Sequence, residues 1–365
     1  MRVLLWLSGR AWSGRARAFV AAGRGLAARG WEVTVACPPQ SAAEERAVAE
    51  GVDVAPLEPA DGVVGTAWRL RRLMRERFVE VTFVHGEREQ LAAALASRRA
   101  GRGGVVRRLA PGEPLVIRRP QRLAMRLAAT GYLFADADDQ PPVAAIPGRA
   151  LEPTVAELGV DVERHEAVRP VARGNIGAKS SSKLIVCVYD PRGRASAATA
   201  LRTIALLLPR HPELRLVLLG RGSDGEDLRM HAAALGITRL VTHLGERDDH
   251  LAILRSADLG WVAADGDDAG FGLLDCMALR VPVLAERSAV AQHYAADGIT
   301  GVLLPPGDAP GSAAAVAPLL IGDERRQAMG NAGRARVARE FAEAAMVDGF
   351  ERAASAARDR TRWTS

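Results

Sequence analysis

Residues 3–7 read Val-Leu-Leu-Trp-Leu, and after a helical run over Arg15–Arg29 and the turn residue Gly30, residues 31–36 read Trp-Glu-Val-Thr-Val-Ala. A short apolar strand, a helix and a second strand with short connections predict parallel strands joined by a crossover helix. The alternation continues through strand candidates at 52–54, 79–84 and 104–107. The first half of the chain is therefore predicted to form a doubly wound α/β domain with a parallel sheet.

A second set of apolar runs begins after residue 183 and alternates in the same way. Its strand candidates are residues 184–189, 215–220, 239–243, 259–263, 281–285 and 301–304. Residues 169–182 lack apolar periodicity, which predicts a linker. We expect Rossmann-like domains at 1–168 and 183–340, and a C-terminal helix over 341–365 that crosses back to the first domain.

The composition is that of a folded protein and excludes several classes of site. Of 365 residues, 48% are hydrophobic and 25% charged, which argues against disorder. The net charge of +6 comes from scattered arginines with few aromatic residues between them, so no nucleic-acid partner is expected. Cys37, Cys187 and Cys276 are far apart and lack metal-ligand spacing, which predicts neither disulfides nor a zinc site and fits a cytoplasmic location.

One basic segment, residues 68–77, has two interpretations. It places Leu70, Leu73 and Met74 on one helical face and arginines on the others. This pattern is typical of a helix at a membrane surface, which predicts a peripheral contact with the inner membrane face. It is equally typical of an ordinary helix with a solvated basic face, the interpretation that we favour. No segment has the apolar length of a membrane span, and the first apolar run is too short for a signal peptide.

Residues 267–278 read Asp-Asp-Ala-Gly-Phe-Gly-Leu-Leu-Asp-Cys-Met-Ala. This stretch contains the main candidate residues for ligand binding. Asp267 and Asp275 bracket Gly270, Phe271 and Gly272, which we interpret as a turn that leads into an apolar helix. Carboxylates accept hydrogen bonds from sugar hydroxyls, and the N–H groups at a helix N-terminus bind phosphate oxygens. The run therefore suits a nucleotide sugar. The alternative is that the acids before the helix only cap it.

This run resembles the carboxylate-x7-carboxylate signature of family 4 retaining glycosyltransferases, with aspartates in place of both glutamates. Other parts of the chain resemble further elements of that family: residues 26–35, 81–87, 216–223, 241–246 and 298–308. The resemblance implies a GT-B fold, in which two Rossmann-like domains face each other across a cleft. It also implies transfer of a sugar from a nucleoside-diphosphate donor with retention of configuration, without a metal or other cofactor.

The resemblance implies roles for particular residues. His85 would contact the donor sugar, Asp267 the hydroxyls of the transferred sugar, and Asp275 the ribose. Where the family has cations that neutralise the leaving diphosphate, this chain has Tyr189 followed by Asp190, so the replacement candidates are Arg192 and Arg194. The N–H groups of Gly270–Gly272 are expected to assist them. The remaining substrate-binding candidates are Gly9, Gly14, Gly220, Arg221, Gly245, Glu246, Gly270, Phe271 and Gly272.

Three functions remain open at this point. The first is a glycosyltransferase with a nucleotide-sugar donor and a sugar, lipid-linked or small-molecule acceptor. The second is a degenerate GT-B protein that binds a nucleotide sugar or a partner without turnover, which the acid at position 190 favours. The third is an epimerase of nucleotide sugars, which the order of the motifs disfavours.

Overall fold

The computed structural model describes residues 1–139 and 152–362, and it divides into two compact units. Unit 1 runs from Met1 to Leu158 and includes the C-terminal segment from Glu343. Unit 2 runs from Gly159 to Ala342. Each unit is a parallel sheet with helices, which confirms the prediction of two doubly wound α/β domains.

The strands of both sheets are short, and those at the centre of each sheet consist almost wholly of buried residues. In unit 1 they are β1 Arg2–Trp6, β2 Glu32–Cys37, β3 Asp53–Pro56, β4 Val81–Val84, β5 Gly104–Leu109, β6 Thr130–Phe134 and β7 Thr154–Val155. In unit 2 they are β8 Lys183–Tyr189, β9 Leu214–Leu219, β10 Val241–Gly245, β11 Leu259–Ala263, β12 Val283–Glu286 and β13 Gly301–Leu304. Near-continuous apolar strands are expected where helices cover both faces of a parallel sheet.

The helices follow the strands along the chain. They are α1 Gly14–Ala28, α2 Ala42–Ala49, α3 Val63–Glu76, α4 Glu87–Ala100, α5 Arg119–Leu127, α6 Val162–Glu166, α7 Arg194–Leu207, α8 Glu226–Ala234, α9 His250–Arg255, α10 Gly266–Ala278, α11 Ala289–Tyr294, α12 Ala309–Ile321, α13 Asp323–Glu340 and α14 Glu343–Arg362. Within the described ranges, no helix combines the length and apolar character needed to cross a membrane.

Both sheets change direction beside their first strand. The described strands of unit 1 have the order β3-β2-β1-β4-β5-β6-β7, and those of unit 2 the order β10-β9-β8-β11-β12-β13. In unit 1, β2 and β3 lie on one side of β1, and β4 to β7 lie on the other side. In unit 2, β9 and β10 lie on one side of β8, and β11 to β13 lie on the other side. Such a topological switch point is where open α/β sheets bind ligands, at the carboxyl ends of the strands.

Strands β6 and β7 were not predicted from the sequence. The sequence of β6, Thr-Gly-Tyr-Leu-Phe, is buried throughout and has no alternation of apolar and polar residues. It overlaps residues 131–147, a segment that is rich in aspartate and proline and whose sequence has no clear period. The part of that segment from residue 140 onward lies outside the described residues.

Residues 169–182, predicted as a linker, pack within unit 2. The N–H group of Val171 donates to the carbonyl of Ala252, and Arg173 donates to the carbonyls of Ser256 and Ser182. The segment lacks apolar periodicity because polar contacts fix its backbone instead of a helix or strand. The observed division of the chain lies earlier, after Leu158.

The C-terminal helix α14 belongs to unit 1, although the preceding helix α13 belongs to unit 2. Phe350 is fully buried, and its ring lies 6.0 Å from that of Phe19 and 5.1 Å from that of Phe83. The close approach depends on glycine, because a Cβ atom added at Gly104 would lie 2.9 Å from the Cβ of Ala357. The helix is thus part of the core of unit 1.

Candidate functional site

Asp190 follows β8 at the switch point of unit 2 and is 4% exposed. Its carboxylate accepts hydrogen bonds from the N–H and the Nε of Arg192, at 3.0 and 3.1 Å, and from Nη2 of Arg221 at 2.6 Å. Burial alone would raise the pKa of Asp190, but these hydrogen bonds hold that pKa below its ordinary value. Asp190 is therefore a charged anchor for two arginines.

The anchored arginines remain accessible. The side chains of Arg192 and Arg221 are 47% and 40% exposed. Arg192 also donates to the carboxylate of Asp268 at 2.8 Å, so it connects the end of β8 to the first turn of α10. The switch point of unit 2 thus has a connected series of charges, Arg221–Asp190–Arg192–Asp268.

Arg194, the other predicted cation, begins α7 and pairs with Asp227 rather than with Asp190. The distance between Nη2 of Arg194 and the Asp227 carboxylate is 2.9 Å, and the arginine side chain is 66% exposed. This pair is more solvated than that of Arg192, so it restrains the guanidinium less.

Two glycines let the backbone pass close to this group. A Cβ atom at Gly193 would lie 1.9 Å from the carbonyl oxygen of Ala263, and one at Gly220 would lie 2.2 Å from that of Tyr189. Gly220 also has a φ of +121°, which side-chain-bearing residues rarely adopt. Both positions therefore require glycine: Gly193 lets the loop after β8 lie against the end of β11, and Gly220 lets the end of β9 lie against the end of β8.

The loop after β9 is connected to β10 by Ser223, a fully buried residue that the sequence did not single out. Its hydroxyl accepts from the N–H of Gly245 at 3.0 Å, and its carbonyl lies 2.9 Å from Nδ1 of His243. Glu246 follows Gly245 directly and is exposed. The predicted residues Gly220, Arg221, Gly245 and Glu246 thus lie at neighbouring strand ends.

The interpretation of Gly270–Gly272 as a turn before the helix is wrong. Helix α10 begins at Gly266 and is capped by Asp265, whose carboxylate accepts from the N–H of Gly266 at 2.8 Å. Gly270, Phe271 and Gly272 therefore lie inside the helix, where their N–H groups bond to the preceding turn. Gly272 has a packing role instead, because a Cβ there would lie 3.2 Å from a methyl group of Val262.

The two aspartates of the motif differ in environment. Asp267 lies in the first turn of α10 and is 1% exposed. Asp275 lies eight residues later, about 12 Å along the helix axis at 1.5 Å per residue, and is 3% exposed. Its Oδ1 lies 2.8 Å from Nε2 of His165.

His165 was missed at the sequence level. It is 3% exposed on the short helix α6, and its Nδ1 lies 2.7 Å from the carbonyl oxygen of Asp161. The contact between Nε2 of His165 and Asp275 thus joins α6 to α10 in the interior of unit 2.

In unit 1, His85 follows β4 at the switch point and is 7% exposed. Its ring stacks on Phe19 with a centroid distance of 4.0 Å. Within the described residues, neither ring nitrogen has a hydrogen-bond partner. Burial, then the positive charges of Arg108 and Arg15, hold the pKa of His85 well below its ordinary value, so the imidazole is neutral.

His85 lines a cavity of about 160 Å³, which we call the smaller cavity. Ser8, Gly9 and Arg15 from the β1–α1 segment also line it. Gly14 is the first residue of α1, after the cap Ser13. Of the predicted residues of unit 1, Gly9 and His85 therefore line one small cavity, and Gly14 lies between the lining residues Ser13 and Arg15 in the chain. A neutral imidazole there can donate one hydrogen bond and accept another.

The remaining titratable groups give no sign of other chemistry. Cys37, Cys187 and Cys276 are buried and form no disulfide, and burial raises the pKa of the Cys37 thiol to about 11. Within residues 1–139 and 152–362, no three His, Cys, Asp or Glu side chains form a group that could bind a metal ion.

Comparison with known proteins finds a family that matches part of the chain. Residues 168–336, most of unit 2, match the family described as Glycosyl transferases group 1. This part of the chain is therefore similar to glycosyltransferase group 1 domains. It contains the Asp190 cluster, helix α10 and all the strands of unit 2.

Two curated relatives are glycosyltransferases that match this chain over part of their length. The lipopolysaccharide core biosynthesis glycosyltransferase LpsE of Rhizobium meliloti is 25% identical over 54% of this chain and 61% of its own length. The D-inositol 3-phosphate glycosyltransferase of Corynebacterium jeikeium is 30% identical over 48% of this chain and 45% of its own. The chain thus spans about half the length of these relatives.

A solved structure matches nearly the whole chain. Anabaena Alr3699/HepE, crystallised with UDP-glucose, superposes with a TM-score of 0.80 at 16% identity, covering 97% of this chain and 99% of that one. At this identity the match establishes the fold alone.

Proposed function

We propose that the protein is a glycosyltransferase that uses a nucleoside-diphosphate sugar as donor. The observation that carries the proposal is the pair of accessible arginines anchored by Asp190 within the group 1 domain. A leaving diphosphate gains negative charge in the transition state, and prepositioned cations lower the energy of that charge. Arg192 and Arg221 are already oriented before a ligand arrives.

Asp190 supports this proposal rather than opposing it. An unpaired carboxylate beside a diphosphate would raise the barrier, but this one is buried and accepts hydrogen bonds from both guanidiniums. It therefore acts as a positioning residue for Arg192 and Arg221. Arg194 is a further candidate, and its exchange of Asp227 for a phosphate oxygen requires only the loss of a solvated pair.

The remaining details of the reaction belong to the same proposal. The donor is of the UDP type, since a similar fold was crystallised with UDP-glucose. His85 would contact the donor sugar through its neutral imidazole, and Asp267 would accept from hydroxyls of the transferred sugar. Transfer would proceed with retention and without a metal. The resemblance to family 4 glycosyltransferases supports these points.

A peripheral contact with the inner face of the cytoplasmic membrane is a further part of the proposal. Helix α3 has Val64 and Trp68 on its exposed side, 58% and 53% exposed, and the guanidiniums of Arg71 and Arg99 lie over the Trp68 ring. Aromatic and basic side chains together suit the headgroup region of an anionic bilayer. Flotation with phosphatidylglycerol vesicles, compared with phosphatidylcholine vesicles, tests this point.

A degenerate binder is the second candidate, and one observation favours it. Each predicted cation already pairs with a carboxylate: Arg192 with Asp190 and Asp268, Arg221 with Asp190, and Arg194 with Asp227. A diphosphate must displace or share these partners. If the arginines stay paired with these carboxylates and stabilise the transition state too weakly, the protein would bind the donor without turnover.

The deciding experiment uses the full chain in two steps. Calorimetry with UDP, GDP and ADP should show tightest binding for UDP. Incubation with UDP-glucose, followed by NMR, should then show slow hydrolysis to UDP and glucose with the α-anomer formed first. Absence of binding for all three nucleotides would contradict the donor site. Binding without hydrolysis or transfer would establish the degenerate binder, and epimerised donor would establish an epimerase.

A further inference from the structure

A larger cavity of about 590 Å³ lies beside the smaller cavity in unit 1. The two share Trp6, Ser8 and Glu89 as lining residues. The larger cavity continues to the loop before α3 and to the first turns of α3 and α4, and its volume is that of a typical small-molecule site. None of the residues to which the sequence assigned a role lines it.

One side of the larger cavity is formed by the N-terminus of α3. The cap position is Gly62, which has a φ of +86° and no side chain to accept from the first helical N–H groups. Thr66 holds the preceding loop in place, because its hydroxyl accepts from the N–H of Ala60 at 3.0 Å and contacts the carbonyl of Gly62 at 2.9 Å. An uncapped N-terminus of a helix of 14 residues favours an anion.

Arg88 lies at the same cavity and adds a positive charge. It is exposed on the first turn of α4 and, among the described residues, forms no ion pair or side-chain hydrogen bond. The arginines of unit 2's switch point are paired with carboxylates, so Arg88 differs from them in having its guanidinium available. A guanidinium binds carboxylate or phosphate oxygens bidentately.

Trp6 provides an independent indication that a ligand belongs here. It is 2% exposed and lines the cavity, and its indole N–H has no acceptor among the described residues. A buried donor without an acceptor is unfavourable by about 1–3 kcal/mol, so binding of a group that brings an acceptor atom is favoured here. An acceptor atom of a ligand in the larger cavity would satisfy it.

Between the two cavities, Ser8 and Glu89 form a polar wall. The hydroxyl of Ser8 donates to the Glu89 carboxylate at 2.5 Å. A carboxylate and a hydroxyl accept hydrogen bonds from sugar or polyol hydroxyls. The larger cavity therefore offers positive groups at Gly62 and Arg88 and hydroxyl-binding groups beside the smaller cavity.

We propose that the larger cavity binds the acceptor, and that this acceptor is a hydroxylated compound with an anionic group, a phosphate or a carboxylate. The anionic group contacts Arg88 and the first N–H groups of α3. The hydroxyl to be glycosylated lies near Ser8 and Glu89, beside the cavity lined by His85. The inference rests on the proposed function and gives its acceptor a chemical class.

The test is calorimetry of the full chain with glucose 6-phosphate, glucose and inorganic phosphate. Glucose 6-phosphate should bind at least tenfold more tightly than glucose or phosphate, because it engages both sets of groups. Arg88→Gln should weaken its binding about tenfold. Val64→Asp, which places a carboxylate at the exposed start of α3, should weaken it similarly while leaving the helix stable.

The matched control is Arg98→Gln, the loss of an exposed arginine at the opposite end of α4. It should leave binding of glucose 6-phosphate unchanged. Vesicles of phosphatidylglycerol form a second arm, and vesicle binding that depends on Arg88 but not on Arg98 would assign the site to a lipid headgroup. If neither ligand depends on Arg88, or if Arg98→Gln weakens both equally, the proposal is overturned.

The same variants test the anion site and the donor site separately. UDP affinity and hydrolysis of UDP-glucose are measured on the same variants, and Arg88→Gln should change neither. Wild-type protein that binds glucose 6-phosphate through Arg88 but no nucleotide would retain the anion site and contradict the glycosyltransferase. Protein that hydrolyses UDP-glucose but binds neither glucose 6-phosphate nor vesicles through Arg88 would support the glycosyltransferase and contradict the anion site.

Discussion

The two switch points of this protein occupy equivalent places in their sheets but differ in charge. At the end of β8, Asp190, Arg192 and Asp268 form a paired series in which each charged group has an opposite neighbour. At the end of β4, His85 is neutral and both of its ring nitrogens lack partners among the described residues. Unit 2 is thus electrostatically organised without a ligand, whereas unit 1 has buried polar groups without a hydrogen-bond partner among the described residues.

The difference indicates how binding would affect each unit. In unit 2, a diphosphate would replace existing carboxylate partners, so prior orientation of Arg192 and Arg221 reduces reorganisation during reaction. In unit 1, a ligand would provide the first partners for His85 and Trp6, so binding would relieve unfavourable desolvation. Substitutions in unit 2 should therefore affect stability or turnover, and substitutions in unit 1 should chiefly affect binding and pH dependence.

The largest effect is expected where the pairing of unit 2 is most buried. His165→Ala removes one partner of Asp275, whose carboxylate is 3% exposed. Breaking a buried pair in this way reduces the free energy of unfolding by about 3–5 kcal/mol. Urea denaturation, with hydrogen exchange of the α10 amides to locate the change, measures it.

The control for this substitution is His231→Ala, a partly exposed histidine on α8. It should change stability by less than about 0.5 kcal/mol. His165→Gln should retain part of the stability, because an amide can still donate to Asp275. If His165→Ala instead weakens UDP binding while unfolding like wild type, Asp275 is a ribose ligand rather than a structural partner.

A second test asks whether the paired arginines of unit 2 act in the reaction. Arg192→Ala should lower hydrolysis of UDP-glucose by about a hundredfold, the usual effect of losing one prepositioned donor to developing charge. Arg194→Ala should have a smaller effect, because that side chain is more exposed and less restrained. Arg229→Ala, on the surface of α8, is the control. Equal rates for the Arg192 and Arg229 variants would remove the catalytic role of the cluster.

The smallest effect is expected from the titration of His85. The folded protein keeps the imidazole neutral, whereas in the unfolded chain it titrates near pH 6.5. Below that pH the unfolded state binds a proton that the folded state does not, so stability falls as pH falls. The slope reaches at most about 1.4 kcal/mol per pH unit for one proton.

Urea denaturation at pH 7.5 and pH 5.5 measures this slope. His85→Asn should lose less stability between the two values than wild type, since asparagine does not titrate. His231→Asn should behave like wild type, because that ring is partly exposed. Identical losses for wild type and His85→Asn would show that His85 takes up a proton as readily in the folded protein as in the unfolded chain, which would contradict the neutral imidazole in unit 1.

The sequence predicted most strands of both sheets because apolar runs such as residues 3–7 and 259–263 are bounded by polar turns. It failed at β6, where a buried strand without alternation follows closely after α5. It also misplaced the division between the units. The aperiodic residues 169–182 are held by Arg173 and its carbonyl partners, which are tertiary contacts without a local signal.

The candidate site was predicted in part for a similar reason. Strand ends and glycine turns are local features, so Arg192, Gly220 and His85 could be located from motifs. Partners distant in sequence could not: Asp190 with Arg221 is 31 residues apart, and His165 with Asp275 is 110 residues apart. The Gly270–Gly272 error arose because glycines are read as turns, although Gly272 here allows a helix to approach β11 closely.

The position of α14 has a consequence for synthesis. Unit 2 is complete when residue 342 has been made, but unit 1 lacks a core helix until Glu343–Arg362 has left the ribosome. During that interval Phe19 and Phe83 have no Phe350 to cover them. Unit 1, which is encoded first, thus finishes folding last. Part of its apolar core stays uncovered until α14, the final helix of the described chain, has been synthesised.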